Sequence, residues 1–252
     1  MQINLTLGHR TYTADLSQPI DLSIPLRDGP DNPNCFWAPP VEFSPVVMGS
    51  FVGSTARGGP VNFFNVRFNP HGNGTHTECV GHIARERFVL PECLQAHHFA
   101  AKLVSVYPKP SGDEGDRVIF RDQLEEVLGK DEASALVLRT LPNDDLKKRR
   151  NYSGANPPYL HWDAARFLVE CGIQHLLLDL PSVDREEDAG LLQAHHAFWQ
   201  YPHAVRKHCT ITELIYVPDT VKDGLYLLNL QTVSFDLDAS PSKPVLFRLL
   251  EI

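Results

Sequence analysis

Asp163-Ala-Ala-Arg-Phe-Leu-Val-Glu-Cys171-Gly172-Ile-Gln174-His-Leu-Leu-Leu-Asp-Leu180 contains a helix, its stop and a strand in eighteen residues. Asp163 to Cys171 reads as a helix that Gly172 ends, and Gln174 to Leu180 as a strand apolar enough to be buried on both faces. The same alternation continues outward. Phe120 to Leu128 reads as a helix closed by Gly129, with Leu124, Val127 and Leu128 on one face, and Ala135 to Arg139 as a strand. After the central unit come a helix over Leu191–Trp199 and strands over Thr210–Val217, Leu225–Val233 and Val245–Leu250. Before it, Lys102–Tyr107 reads as a strand ending at Pro108, and Val61–Phe68 as one running into Asn69-Pro70. Strand–helix–strand alternation of this kind implies an α/β fold, a mainly parallel or mixed sheet with helices packed on it. No stretch is long and polar enough to be a linker, so residues 1–252 are expected to form one domain. The Pro- and Gly-containing segment 140–158 is expected to be a long loop, a candidate lid.

Composition narrows the function classes. Apolar residues make up 42% and charged residues 21%, ordinary values for a soluble globular chain. No apolar run has the length of a transmembrane helix, and the first residues lack the pattern of a signal peptide, so no membrane partner and a cytoplasmic location are expected. Lys plus Arg is 23 against 31 Asp plus Glu, a formal charge of −8, which argues against nucleic acid as a partner. The one basic cluster, Lys147-Lys148-Arg149-Arg150, reads as a solvated loop. Five cysteines are scattered without a CxxC pair, which suits reduced thiols. Twelve histidines are the unusual feature.

The chemistry concentrates in Asn69-Pro-His71-Gly72-Asn-Gly74-Thr75-His76-Thr-Glu78-Cys-Val80-Gly81-His82, directly after an expected strand. Imidazoles and a carboxylate this dense suit zinc or manganese, and the glycines let ligands close in sequence converge on one ion. His76 and Glu78, two apart, share a face if the segment is extended. Gly72-Asn73-Gly74 starts like a nucleotide-binding fingerprint, but Thr77 stands where the third glycine would be. The chain contains no G-x-S-x-G elbow and no H-E-x-x-H, which disfavours a serine hydrolase and a zincin.

This segment resembles the cyclase family of metal-dependent hydrolases, which includes kynurenine formamidase-like and isatin hydrolase-like enzymes, and whose pattern is H-x-G-T-H-x-D-x-P-x-H. Gly74-Thr75-His76 and His82 match it. Three further blocks are similar in the same order: Asp21-Leu22-Ser23-Ile24-Pro25-Leu26; Trp162-Asp-Ala-Ala-Arg-Phe-Leu with Leu178-Asp179-Leu-Pro181-Ser182-Val183-Asp184; and His195 followed by Thr212-Glu213-Leu214. The chain departs from the pattern at three places. Glu78 replaces the aspartate and is longer by about 1.5 Å. His71 sits one residue before the position of the first histidine, which falls on Gly72, and Val80 replaces the proline.

The resemblance implies a mixed-sheet fold of the swivelling β/β/α type. It implies one or two divalent ions, Zn or Mn, with His71, His76, Glu78, His195 and Glu213 as ligands and His82 as general acid/base. His195 is preferred to His196, because the family histidine is separated by two residues from an apolar pair, here Phe198-Trp199. The implied reaction is hydrolysis of an amide, formamide or cyclic amide of a small molecule by metal-activated water, with backbone N–H groups of Gly72–Gly74 assisting at the oxyanion. A protein of this fold that binds metal and a small ligand without turnover is the alternative, kept open by Glu78 and the displaced His71. The resemblance also implies a homo-oligomer, a dimer or tetramer. Phe36, Trp37 and Tyr159 are candidates for the aromatic wall of a pocket, with core packing an equally good account, and Phe36 and Trp37 are the candidate substrate-binding residues. Asp179, Ser182 and Asp184 are expected to shape a strand-end loop, and His97, His98, His175, His203 and His208 to be structural. His161 lies beside the expected lid.

Overall fold

The computed structural model describes residues 1–112 and 115–252. In it seven strands close on themselves, in the ring order Gly224–Thr232, His98–Val106, Ala135–Thr140, His175–Leu178, Thr210–Glu213, His76–Glu78, Ala239–Arg248 and back to Gly224–Thr232. The strands beginning at His98, Ala135, His175 and Thr210 run parallel, and the remaining pairings are antiparallel. The fold is therefore mixed α/β around a barrel-like sheet. Ile20–Asp21 pairs with Ala239–Arg248, and a hairpin of Gln2–Leu7 with Arg10–Asp15, joined by Leu250–Glu251, forms a small second sheet that packs Tyr12 and Ala14 against Leu227 and Leu249.

The barrel explains why its strands read as continuous apolar runs. Ala135, Val137 and Leu177 pack with Leu103, Leu228 and Leu246 in one cluster, the interior. Their neighbours Leu136, Leu138, Leu176 and Leu178 lie in a second cluster with the helices, through Leu124, Ala164, Ala165, Leu168, Phe198 and Trp199. Each of those leucines is solvent-free on its own face, and each contributes about 1.5–3 kcal/mol of apolar burial.

The helix over Trp162–Glu170 begins where His161 Nδ1 accepts the Asp163 N–H at 3.3 Å. It stops at Gly172, whose φ of 81° is left-handed, with the N–H groups of Gly172 and Ile173 folded back on Val169 and Leu168. The helix expected over Phe120–Leu128 is shorter, Arg121–Glu125. Leu124 and Leu128 are buried, but Val127 is 37% exposed, because the chain leaves helical geometry before Val127 can share their face.

Lys147 corrects the reading of 147–150 as a solvated run. It is only 4% exposed, and its ammonium donates to the Thr140 carbonyl (2.7 Å), Thr140 Oγ1 (3.0 Å), Asn143 Oδ1 (3.1 Å) and Asp179 Oδ2 (2.7 Å). Four acceptors compensate a charge that burial would otherwise penalise. Asp179 thus joins the strand end to segment 140–158, in keeping with its expected loop-shaping role. No helix among the described residues is long and apolar enough to cross a membrane.

Candidate metal centre

The site is built on the shortest barrel strand. His76–Glu78 lies between Thr210–Glu213 and Ala239–Pro241, with His76 opposite Glu213. Extended backbone turns His76 and Glu78 to one face and Thr77 to the other, where it meets Thr212 Oγ1 at 2.7 Å. The strand does not continue to His82, which ends a 3₁₀ turn over Val80–His82 and so returns to the same region. Thr75 ties the approach together: its hydroxyl donates to the Leu214 carbonyl at 2.6 Å and accepts from the Ile24 N–H at 2.9 Å. Gly72 must lack a side chain, since a Cβ there would collide with Ala38.

All six residues expected as metal ligands or acid/base converge. Glu78 is the hub, with Oε2 3.1 Å from His71 Nδ1 and 3.7 Å from His82 Nδ1, and Oε1 3.1 Å from His195 Nε2. His76 Nε2 lies 3.3 Å from Glu213 Oε2. Imidazole nitrogens and carboxylate oxygens of His71, His76 and Glu78 fall within 4.8 Å of one another, as do those of Glu78, His82 and His195.

Each inner histidine is tethered by its other nitrogen. His76 Nδ1 donates to the Gly74 carbonyl at 2.9 Å, and His195 Nδ1 to Asp184 Oδ2 at 2.6 Å. His71 Nε2 donates to Asp238 Oδ2 at 3.0 Å. Asp184 does more than shape its loop, because it also accepts the N–H groups of Ala194 (2.7 Å) and His195 (3.1 Å) at the start of the Gln193–Trp199 helix. Glu213 Oε1 is fixed by the Val183 N–H at 3.0 Å.

The electrostatics describe a site short of positive charge. Burial disfavours a charged Glu78, yet His82, His195 and His71 around it hold its carboxyl well below the usual range. Burial likewise opposes charge on His195, but Asp184 and Glu78 push it up to about 10. The same balance, through Asp238 and Glu78, pushes His71 up to about 10. His76 Nε2 and Glu78 Oε2 are fully buried without a hydrogen-bond partner. The 3.1 Å approach of His71 to Glu78 Oε2 lacks hydrogen-bond geometry and does not relieve it. Two orphaned buried lone pairs among histidines and carboxylates fit a divalent cation, which would replace protons on the imidazoles.

One expectation narrows, and one residue of the site carries no signal in the sequence. The N–H groups of Gly72 and Asn73 are both taken by Asn69, so neither is available to an oxyanion. Asp238 was not singled out in the sequence; it stands beside His71 and 3.6 Å from His82 Nδ1. Its segment, Val233-Ser-Phe-Asp-Leu-Asp238, carries no spacing signal, and long-range pairing, of Ala239 with Glu78 and of the Asp238 carbonyl with the Cys79 N–H, brings it here.

Phe36 and Trp37 occupy consecutive left-handed positions, φ 55° and 51°, a strained geometry for aromatic residues. The turn is docked on the site loop through the Cys35 N–H to the Gly72 carbonyl, 3.0 Å. Phe36 lines a narrow cleft with Cys35, Tyr152, Pro181 and Asp184, while exposed Trp37 is held by its N–H to Ser153 Oγ at 2.9 Å. Burial, together with Glu213 and Glu186, pushes the Cys35 thiol far up, which makes it a poor nucleophile. His161 lines a separate cavity of about 590 Å³ with Tyr159, Trp162 and Asp184.

Comparison with known proteins gives a consistent assignment. The Cyclase family model matches residues 14–185. The chain is 29% identical to a kynurenine formamidase of Bacillus mycoides, covering 91% of this chain and 97% of that protein. It is 27% identical to the kynurenine formamidase of Bacillus cereus over the same shares, 91% and 97%. Among solved structures, isatin hydrolase A from Labrenzia aggregata superposes with a TM-score of 0.66 at 15% identity, covering 91% of this chain and 93% of that one; this likeness concerns the fold.

Proposed function

Since the chain belongs to the cyclase family, we propose that it is a metal-dependent hydrolase of a small-molecule amide, formamide or cyclic amide, acting on a non-peptide C–N bond. The observation that carries this reading is the pair of orphaned buried atoms, His76 Nε2 and Glu78 Oε2, inside a ring of histidines and carboxylates. Kynurenine formamidase relatives support the bond type.

His71, His76 and Glu78 would hold one zinc or manganese ion, and His195 with Glu213 would complete that sphere or hold a second ion against Glu78. When bound, a divalent ion at this place supplies Lewis acidity toward a carbonyl and lowers the pKa of a water toward neutrality. The chain's own residues do the rest. His82, on the more open side of the cluster, takes the proton of the attacking water and returns it to the leaving nitrogen. Phe36 and Trp37 would supply the aromatic wall that meets the substrate, on a turn that Cys35 docks on the site loop and Ser153 holds from segment 152–154.

The finer assignments complete the reading. A homo-oligomer is supported by the exposed apolar residues Val47, Met48, Phe63, Phe64 and Val66, in the segment that precedes His71. A cytoplasmic location is supported by five cysteines that are all buried and free.

Elemental analysis of purified protein, beside His76→Ala and His195→Ala, tests the site, and turnover of an aryl formamide and of isatin tests the reaction. About one or two ions per chain, lost in both variants, with hydrolysis of either substrate, is the expected result. Absence of metal after reloading with zinc and manganese would overturn the reading. Bound metal without hydrolysis of either would favour a binding protein, as the substitution of Glu78 for aspartate allows.

A further inference from the structure

We infer that Asp238 is a positioning residue that sets the orientation of His71 and thereby the geometry of the metal centre, an inference that rests on the metal-dependent reading above. His71 is the ligand whose position departs most from the family pattern, so the question is what holds it. Its backbone lies in a loop, next to Asn69 Oδ1, which accepts the His71 N–H at 3.0 Å. That contact fixes the main chain but leaves the ring free to turn about two bonds. Asp238 Oδ2, 3.0 Å from Nε2, fixes the ring and leaves Nδ1 as the nitrogen that faces Glu78.

Asp238 is itself rigidly placed. Its carbonyl accepts the Cys79 N–H at 3.0 Å, one residue beyond Glu78, and Ala239 after it pairs with Glu78 in the barrel. Room for it is made at Gly81, where a Cβ would lie 3.0 Å from the Asp238 Cβ and would also strike the Phe88 carbonyl. The arrangement repeats that of Asp184 on His195, with a carboxylate on the far nitrogen and the near nitrogen facing Glu78. Such outer carboxylates fix the tautomer and raise the basicity of a ligating imidazole. The same Asp238 oxygen lies 3.6 Å from His82 Nδ1, beyond hydrogen-bond length, so its main hold is on His71.

The test is cobalt(II) binding to the full chain, followed by competition titration and by the visible absorption of the bound ion, in wild type, Asp238→Ala, Asp238→Asn, His71→Ala and the His71→Ala/Asp238→Ala double variant. Asp238→Ala is expected to hold as many cobalt equivalents as wild type at saturation, to bind them about 10–100-fold more weakly and to show an altered spectrum. Asp238→Asn, which keeps the volume and an acceptor oxygen, should recover much of the affinity. In the His71→Ala background, Asp238→Ala should add no further loss. Unchanged affinity and spectrum in Asp238→Ala, or an additive loss in the double variant, would overturn the inference while metal binding by wild type stands. Loss of a whole equivalent at saturation would overturn it in favour of direct ligation. No cobalt, zinc or manganese bound by wild type would overturn the functional reading, and this inference with it.

Discussion

Asp184 Oδ2 accepts from His195 Nδ1 at 2.6 Å while His195 Nε2 rests 3.1 Å from Glu78 Oε1, so one imidazole joins the helix start to the hub of the candidate metal centre. Asp184 thereby has two functions, capping backbone N–H groups and orienting a candidate ligand.

Asp184→Ala should separate poorly into those two functions, lowering both metal affinity, by about 10–100-fold, and stability, by about 1–2 kcal/mol from the lost cap. Asp184→Asn keeps one acceptor oxygen and should lose less of each. Urea unfolding of metal-free protein reads the stability part, and metal titration reads the other; equal stability of wild type and Asp184→Ala would contradict the cap.

Glu78→Asp restores the carboxylate found in the family pattern, yet it should weaken metal binding here by about tenfold or more. His71 Nδ1 and His195 Nε2 are both 3.1 Å from the longer side chain's oxygens, and a retreat of about 1.5 Å breaks both approaches. Improved metal affinity in Glu78→Asp would show that the loop adjusts to the shorter residue.

The pair Lys147–Asp179 predicts a mutational asymmetry. Lys147→Met leaves a buried carboxylate whose pKa burial already pushes up, and should cost about 3–5 kcal/mol. Lys147→Met with Asp179→Asn should recover part of that loss, because no uncompensated charge remains. Denaturant midpoints at matched slopes check it; a double variant no more stable than the single would refute it.

His175 gives the protein an acid limit that is independent of the metal centre. It is buried against Phe99 and Thr210, and burial, with Arg206 nearby, pushes its pKa down to about 4. The folded value is below the unfolded one, so the unfolded chain binds the proton first. Its contribution to stability is complete above pH 6.5 and is lost as pH falls from about 6.5 to about 4, reaching about 3 kcal/mol. Stability measured at intervals across that window should fall in wild type and flatten in His175→Gln. An equally steep fall in the variant would assign it to other groups.

Much of this molecule is readable without coordinates, for definable reasons. Strands such as Ala135–Thr140 and His175–Leu178 are buried on both faces, so their apolar runs are unbroken, and Gly172 marks the helix end unambiguously. His76, Glu78 and His82 stand close enough in the chain for spacing to carry meaning. What spacing cannot show is the partner supplied from far away. Asp238 reaches His71 only because the sheet closes, and Lys147 is buried only because Asp179 waits at the end of another strand. The engagement of the Gly72 and Asn73 N–H groups by Asn69 was partly legible, since Asn69-Pro70 is a dipeptide that starts such turns, but the dipeptide does not say how many N–H groups the turn takes up.

Ala239–Arg248 gives its first three residues to His76–Glu78 and its next seven to Gly224–Thr232. On a ribosome, His71, His76, Glu78 and His82 leave the exit tunnel long before that strand is translated. Until it arrives, strand His76–Glu78 has one neighbour at most, and Asp238 does not yet exist to restrain His71. The candidate metal centre is therefore a late product of biosynthesis, and the early histidines of a nascent chain lack the enclosure that defines the finished site.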